Sequence, residues 1–431
     1  MKPMAAASSF SSTYNYKCPL FFLLFFLGKA MSIGINYGQI ANNLPTPDAV
    51  VPLLRSIGVS KVKLYDADPK VLKSFANTGV EFVVGLPNEC VARVARDPAK
   101  ALTWIRNFVQ PHLPQTKITL ITIGNEVLTG NDTSSLLDCL LPAMENVHAA
   151  LVQLGLDSQV GVTSAHSLAV LETSYPPSAG AFKKDLAVRL GQILSFHTKT
   201  GSPFLINAYP YFAYKASPKQ VSLDYVLFQT NDGVLDQATG AKYYNMLHAQ
   251  VDAVHSAVDA LHVVSGKGNV EIRVSETGWP SKGDSDEAGA TPENAMKYNG
   301  NLIKMVSEKK GTPMRSGSPL EVYVFALFNE NMKPGPTSER NYGLFKPDGT
   351  PAYQLGLGGG GGGGIAQVNG NGTTGGSSSG SGGGGGFSPG SSSTGYFTIS
   401  AAETGVHIDW MSIGLLRGVV LASMSLFWLL L

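Results

Sequence analysis

Short apolar runs recur along the middle of the chain, separated by amphipathic stretches. Eight runs of this kind begin at Ser32, Lys61, Val80, Ile118, Gln159, Pro203, Val270 and Glu321. Short apolar runs with little alternation are typical of strands that are buried on both faces. Several of the intervening stretches have helical spacing, and Thr291 followed by Pro292 is typical of a helix N-terminus. The pattern therefore predicts strands that alternate with helices.

The repeated alternation favours a closed barrel over an open sheet. Alternating strands and helices predict a parallel sheet, and eight parallel strands close into a (β/α)8 barrel, the TIM barrel. We therefore expect an α/β protein with a single folded domain, residues 31–355. The alternative is a doubly wound open sheet, which usually has a glycine-rich turn after its first strand. Glycines follow the first strand here, but they lack the dinucleotide-binding spacing.

Two of the predicted strands end on a glutamate. Glu126 follows the strand that begins at Ile118, and Glu276 follows the strand that begins at Val270. One polar strand end has little meaning by itself, because strands normally end in water. In a barrel, however, the C-terminal ends of all strands meet at one rim, where active sites lie. The two glutamates are therefore expected to face each other across a single pocket.

The rest of the predicted rim consists mainly of amides and aromatic rings. Residues that follow the strands include Tyr65, Asn125, Asn207, Tyr209 and Trp279. Aromatic faces stack on sugar rings and amides bond to hydroxyl groups, so this set suits a carbohydrate. Glycosidic cleavage needs one protonated carboxyl and one ionised carboxylate. A separation of about 5–5.5 Å would retain the anomeric configuration and one of about 6.5–9.5 Å would invert it; the sequence leaves this distance open.

Other chemistries have little support in the composition. The formal net charge is +1, which gives no electrostatic signature for nucleic acid. The sequence has no cysteine or histidine pairs at the spacing of metal ligands. His248, His255 and His262 recur every seven residues, which is typical of one face of a helix rather than of a metal site. We therefore expect no metal and no cofactor. Residues 31–355 also lack a Gly-x-Ser-x-Gly motif, which would indicate an esterase.

Both ends of the chain have the features of processing signals. Residues 1–30 combine lysines, an apolar run of about ten residues and small residues, which predicts a secretory signal peptide; the run is short for the alternative, a membrane anchor. Residues 401–431 end in an apolar tail, with a polar spacer and small residues before it, which predicts a GPI-anchor signal that is removed. Ser400 is the predicted attachment residue, and the alternative for the tail is a true membrane helix.

A secreted protein would carry further modifications. Residues 356–400 are rich in Gly and Ser and are expected to form a disordered tether. Asn131 and Asn371 begin N-glycosylation sequons. Cys90 and Cys139 remain after the signal peptide is removed, and whether they pair stays open. These features together predict a protein held on the outer face of the plasma membrane, facing the cell wall, and we expect it to be a monomer.

Several motifs resemble those of plant family 17 glycoside hydrolases, the glucan endo-1,3-β-glucosidases. The segments, in order from about residue 33 to residue 355, are "GINYGQIANNLP", "KVKLYDAD", "ITIGNEV", "NAYPYFAY", "VSETGWPS" and "FALFNENMKPGPTSERNYGLFKPDGTPAYQL". The resemblance implies a (β/α)8 fold and hydrolysis of internal β-1,3-glucosidic bonds with retention. The cysteine-rich carbohydrate-binding module common in the family is missing. The resemblance also fits GPI-anchored members, for which callose is the expected substrate.

The same resemblance implies a role for each matching residue. Glu126 would be the general acid/base and Glu276 the nucleophile, while Glu330 and Lys333 would support the site. The implied substrate-binding residues are Tyr65, Asn125, Asn207 and Tyr209, and the rim pattern adds Trp279.

Three alternatives remain on the sequence alone. A barrel can lose its activity and keep its cleft, which would leave a non-catalytic β-glucan-binding protein. The same two carboxylates would also serve a hydrolase of mixed β-1,3-1,4-glucan, because linkage choice depends on the shape of the sugar subsites. A structural or adhesive wall protein would use the anchor and the tether alone.

Overall fold

The computed structural model of the protein describes residues 31–130, 136–261 and 270–354. Eight parallel strands in these residues close into one barrel, and each strand pairs with its neighbours in chain order. They are β1 (Met31–Asn36), β2 (Val59–Lys63), β3 (Glu81–Leu86), β4 (Lys117–Asn125), β5 (Gly161–Ser167), β6 (Phe204–Asn207), β7 (Ile272–Thr277) and β8 (Val322–Val324). The pairing of β1 with β8 closes the ring. The predicted α/β fold, a (β/α)8 barrel, is therefore confirmed.

Ten α-helices accompany the strands in the described part of the chain. They are α1 (Pro47–Ser56), α2 (Pro69–Ser74), α3 (Asn88–Arg96), α4 (Pro98–Phe108), α5 (Leu140–Gln153), α6 (Lys184–Thr200), α7 (Pro210–Ala216), α8 (Leu223–Val226), α9 (Met246–Ala260) and α10 (Pro292–Ser307). The helix start predicted at Thr291 is confirmed, because its side chain accepts a hydrogen bond from the backbone N–H of Asn294.

Two short hairpins interrupt this alternation. One pairs Leu171–Thr173 with Ala181–Phe182, and the other pairs Val234–Leu235 with Lys242–Tyr243. The sequence spacing over residues 241–261 predicts one helix ahead of β7. In the structure the helix begins at Met246, and Lys242 and Tyr243 lie in the second hairpin instead. Tyr243 is almost completely buried there and donates a hydrogen bond to Asp252 of α9 at 3.0 Å, so side-chain burial decides the local conformation.

The strands carry the core of the protein. A continuous cluster of buried apolar side chains joins the strands to the helices, and Val62, Ile121 and Val162 belong to it. Neighbouring residues of a strand point to opposite faces, so Lys63 points away from the helices that Val62 faces. Lys63 contacts β7, which is not a neighbour of β2, so its side chain crosses the barrel interior.

Some predicted features lie outside the described residues: the terminal segments 1–30 and 355–431, with Asn371 and Ser400, and also Asn131 and His262. Among the helices that the structure does describe, none has both the length and the apolar character that a membrane span requires.

Candidate active site

A sharp turn at the end of β4 places Glu126. Gly124 has φ +63°, and Glu126 itself has φ +54°, in the left-handed region that non-glycine residues seldom adopt. A Cβ atom at position 124 would lie only 2.7 Å from Asn88 Oδ1. The side-chain amide of Asn88 makes two hydrogen bonds to the backbone of Asn125. Its Oδ1 accepts from the Asn125 N–H at 2.7 Å, and its Nδ2 donates to the Asn125 carbonyl at 3.1 Å. The turn is thus held from α3, and Glu126 leaves the strand in a fixed direction.

Glu276 lies near the end of β7 and is surrounded by hydrogen-bond donors. Lys63 Nζ and Tyr65 Oη each donate to Glu276 Oε1 at 2.7 Å. Tyr209 Oη donates to Oε2 at 2.9 Å. The donors come from β2 and from the residues that follow β2 and β6. This arrangement stabilises an ionised carboxylate.

The two glutamates have opposite pKa shifts. Burial and, to a smaller extent, the negative charge of Glu276 together raise the pKa of Glu126 to about 7, although the hydrogen bond from the Asn207 amide opposes the rise. Burial would also raise the pKa of Glu276, but the charge and hydrogen bond of Lys63, with the hydrogen bond of Tyr65, outweigh it and hold the pKa below its ordinary value. One carboxyl therefore keeps its proton near neutral pH while the other is ionised.

Asn207 connects the surroundings of the two carboxyls. Its Nδ2 donates to Glu126 Oε1 at 3.0 Å and lies 3.5 Å from Asn125 Oδ1. Its Oδ1 accepts from the hydroxyl of Ser275 at 2.6 Å, which fixes the orientation of the amide. Since Ser275 directly precedes Glu276 in β7, the strand that carries one carboxyl also orients the amide that binds the other.

Glu330 and Lys333 follow β8 at the same rim. Glu330 Oε1 accepts from the backbone N–H of Ile40 at 2.8 Å. Any side chain at position 38 would place a Cβ atom 2.4 Å from the Glu330 carboxylate, so Gly38 leaves the space that this carboxylate fills. Lys333 Nζ lies 4.1 Å from the centre of the Phe325 ring and 3.3 Å from Glu339 Oε2.

The carboxyl groups of Glu126, Glu276 and Glu330 border one cavity of about 460 Å³. Both glutamates, Glu330, Lys333, Tyr65, Asn125, Asn207 and Tyr209 border it, so the structure brings eight of the nine predicted site residues together. Its aromatic lining is Tyr37, Tyr65, Tyr209, Phe212, Phe325 and Tyr342. A cavity with aromatic walls and a few convergent polar groups is typical of a ligand-binding site. In the described ranges, no three His, Cys, Asp or Glu side chains come together as a metal site would require.

Trp279 is the ninth residue, and the structure contradicts its predicted role as a sugar platform. The side chain is fully buried, and Nε1 donates to the Gly289 carbonyl at 2.8 Å. The ring packs against Tyr211, Tyr214 and Tyr298. Trp279 lies two residues beyond β7, where the chain has already turned away from the cavity into the packing behind it.

The predicted site lacks three charged residues that the structure places there, and one of them, Asp66, directly follows Tyr65 and borders the cavity. Lys63 contacts Glu276 directly, and Glu339 borders the cavity beside Lys333. Lys63 has only a weak signal in the sequence, because β2 contains two lysines, Lys61 and Lys63, on either side of Val62. Glu339 lies in an irregular polar segment and has no comparable signal.

Comparison with known proteins decides the family. The model of "Glycosyl hydrolases family 17" matches residues 33–357. The chain belongs to family 17 of the glycosyl hydrolases. The matched region includes every residue of the cavity described above.

Relatives of this family 17 chain have consistent names. It is 58% identical over 379 residues to "Glucan endo-1,3-beta-glucosidase 11" of Arabidopsis thaliana, which covers 86% of this chain and 88% of the relative. It is 46% identical over 325 residues to "Glucan endo-1,3-beta-D-glucosidase" of Olea europaea, covering 75% of this chain and 70% of the relative.

Solved structures with the same fold include a β-1,3-glucanase and allergen of Cryptomeria japonica pollen. Its TM-score is 0.72 with 41% identity, and the match covers 75% of this chain and 98% of that one. A structure from a study of two plant β-glucan endohydrolases with distinct substrate specificities has a TM-score of 0.68 and 36% identity, covering 75% of this chain and 99% of that one.

Proposed function

We propose that this family 17 protein hydrolyses internal β-1,3-glucosidic bonds of β-1,3-glucan with retention of configuration. The observation that carries the proposal is the pair of carboxyl groups in one sugar-sized cavity, one raised in pKa to about 7 and the other held ionised by Lys63 and two tyrosines. The names of the relatives support the substrate, since they are glucan endo-1,3-β-glucosidases over most of the chain.

The first step forms a glycosyl-enzyme ester. An oxygen of Glu276 attacks the anomeric carbon, and the bond from that carbon to the leaving oxygen breaks. Glu126 gives its proton to this oxygen, so the shortened glucan leaves as a neutral alcohol and Glu126 becomes ionised. The raised pKa of Glu126 makes the proton available near neutral pH, and the donors around Glu276 keep the nucleophile ionised beforehand.

The second step releases the sugar. Glu126 now accepts a proton from water while the water oxygen attacks the anomeric carbon, and the ester bond to Glu276 breaks. Lys63, Tyr65 and Tyr209 stabilise the carboxylate that departs, because each donates a hydrogen bond to it. Two inversions at one carbon give net retention.

Product analysis on laminarin, a soluble β-1,3-glucan, tests the proposal. The wild-type protein should release oligosaccharides whose new reducing ends are first seen by NMR as the β-anomer. Glu276→Gln should abolish turnover, because an amide neither attacks nor leaves as a carboxylate does. Glu126→Gln should retain far more ester formation on an aryl glucoside with a good leaving group than on laminarin. Appreciable turnover by Glu276→Gln, or equal losses on both substrates for Glu126→Gln, would contradict the assigned roles.

A parallel assay on barley mixed β-1,3-1,4-glucan separates the alternatives. Plant enzymes of this fold include two β-glucan endohydrolases with distinct specificities, so the fold alone does not set the linkage. Faster hydrolysis of laminarin is the expected result. Preference for the mixed glucan would favour the other hydrolase, and binding without products would favour a non-catalytic glucan-binding protein.

We also propose that the mature protein is a glycosylated monomer held by a GPI lipid on the outer face of the plasma membrane, facing the cell wall. The support is in the sequence: an apolar N-terminal run, a Gly/Ser-rich segment, small residues near Ser400 and an apolar C-terminal tail. A phosphatidylinositol-specific phospholipase should release the activity from plant membranes. Activity that stays in the membrane after complete treatment would instead indicate a transmembrane anchor.

A further inference from the structure

Glu287 is a buried carboxylate outside the cavity that the proposed reaction does not use. It lies in the segment between β7 and α10, its side chain has no exposed surface, and it makes an ion pair of 2.8 Å with Lys215 of α7. Its Oε2 accepts from the backbone N–H groups of Asp284 at 3.0 Å and Ser338 at 2.9 Å. The hydroxyl of Ser338 donates to Oε1. A charge this deeply buried is costly unless it is fully bonded, and here both oxygens are bonded.

The partners of Glu287 belong to three different rim segments. Lys215 lies in α7, which follows β6, Asp284 lies in the segment after β7, and Ser338 lies in a 3-10 turn, Thr337–Arg340, which follows β8. We call this three-way connection the Glu287 clamp. The backbone N–H of Ser281 also donates to the Asn341 carbonyl at 2.9 Å, so the segments after β7 and β8 are joined at a second point.

The clamp lies directly behind charged residues of the cavity. Ser338 precedes Glu339, which borders the cavity and pairs with Lys333 at 3.3 Å. On the other side, α7 begins immediately after Tyr209, which donates to Glu276. Movement of the clamped segments would therefore change where Lys333, Glu339 and Tyr209 stand relative to the two glutamates.

We propose that Glu287 is a positioning residue of the hydrolase, which holds the Lys333–Glu339 pair beside Glu126 and Glu276. The proposal rests on the function proposed above. Glu287 touches no substrate in this account and acts only through the segments that it joins.

Charges that the clamp holds in place contribute to the pKa values of both carboxyls. Burial dominates the raised pKa of Glu126, and the charge of Glu339 adds to it. Burial alone would raise the pKa of Glu276. Lys63 makes the largest contribution that lowers this pKa, and the charge of Lys333 lowers it further. Other charged or titratable groups also face these residues. Tyr65 and Tyr209 donate hydrogen bonds to Glu276, and Glu330 interacts with Glu276, Lys333 and Glu339. Near Glu287 they include Lys215, Asp284, Tyr211 and Tyr342. The active form needs Glu276 ionised and Glu126 protonated, so the enzyme works between these two pKa values.

The test is the pH profile of Glu287→Gln on laminarin beside the wild type. A neutral amide loses the ion pair with Lys215, and the freed segments let Lys333 and Glu339 move away from the cavity. Without Lys333 the pKa of Glu276 rises, so the acid limb of the activity–pH curve should move to higher pH. Without Glu339 the pKa of Glu126 falls, so the alkaline limb should move to lower pH, and the active pH range narrows from both sides. We expect kcat to fall about 10-fold with KM nearly unchanged, because the pair acts on the reacting groups rather than on substrate binding.

Ser338→Ala is the milder second variant. It removes one hydroxyl donor to Glu287 and keeps the backbone N–H, so it should fold and show the same changes at smaller size. Glu293→Gln is the matched control, because it breaks an exposed ion pair with Lys297 on the first turn of α10, away from the clamp. It should leave kcat and both limbs as in the wild type.

The outcomes separate the two proposals. Unchanged limbs and kcat in Glu287→Gln and Ser338→Ala, with only a lower Tm, would show a purely structural role and overturn the inference while the proposed function stands. A wild-type protein without activity on either glucan would overturn the proposed function and the inference with it.

Discussion

At the scale of single residues, two lysines of β2 show how surroundings decide function. Lys61 and Lys63 are two positions apart and therefore lie on the same face of the strand. Lys61 is partly exposed and pairs with Glu321 at 2.6 Å, which also contacts Arg273 at 3.3 Å. Lys63 is almost completely buried and pairs with Glu276 at 2.7 Å. Only the second lysine lowers the pKa of a carboxyl that borders the cavity.

Lys63→Met should shift the pH dependence of hydrolysis. Lys63 makes the largest contribution that lowers the pKa of Glu276, so its loss raises that pKa and moves the acid limb to higher pH. We expect kcat/KM on laminarin to fall roughly 100-fold, the size typical when one preorganised donor is removed. Lys61→Met is the control and should keep the wild-type limbs. An acid limb that stays in place in Lys63→Met would exclude Lys63 as the residue that keeps Glu276 ionised.

A site residue can be predicted from the sequence when its position in the fold already determines where its side chain points. Glu126 and Glu276 were predictable because both lie at strand ends, and every strand end of a barrel meets the same rim. Lys63 required knowledge of which face of β2 lines the interior, which the short run does not show. Trp279 was predicted wrongly because it follows the end of β7, where the path of the chain depends on the segments that pack around it.

At the scale of elements, the site depends on how strands end and on what holds their ends. The left-handed turn at Gly124 to Glu126 is held by Asn88 at the start of α3. The strand itself could be predicted from its apolar run, but its turn could not, because the restraint comes from a residue in another element. The segments after β7 and β8 behave in the same way, since the Glu287 clamp joins them through contacts about 50 residues apart in sequence. Apolar periodicity does not encode such polar contacts.

At the scale of the whole molecule, the barrel buries titratable groups that take no part in the proposed chemistry. His166 of β5 is fully buried and its ring stacks on Phe204 with 4.7 Å between the centres. Burial, with a smaller contribution from His197, lowers its pKa from 6.5 to about 3. Burial likewise lowers the pKa of His197 to about 4. Both rings are therefore neutral in the folded protein at mildly acidic pH, whereas in the unfolded chain they take up protons.

This difference predicts a loss of stability in acid. Because the folded pKa of His166 is lowered, its contribution is complete above pH 6.5 and is lost as the pH falls below that value towards the folded pKa. Between pH 7.5 and pH 5 this one group should cost about 2 kcal/mol of unfolding free energy. His166→Phe keeps an aromatic ring and removes the titration, so its urea unfolding free energy should fall by about 2 kcal/mol less over the same interval. Equal falls in both proteins would show that His166 does not bind protons on unfolding in this range.

The placement of the two carboxyls that we propose to react, at the ends of β4 and β7, has a consequence for how the protein is made. Glu126 leaves the ribosome 150 residues before Glu276. Lys63, whose charge lowers the pKa of Glu276, is made earlier still. A nascent chain that stops at the middle of the domain carries an acid with no nucleophile beside it. We therefore expect the chain to become active only late in synthesis, when β8 pairs with β1 and closes the barrel.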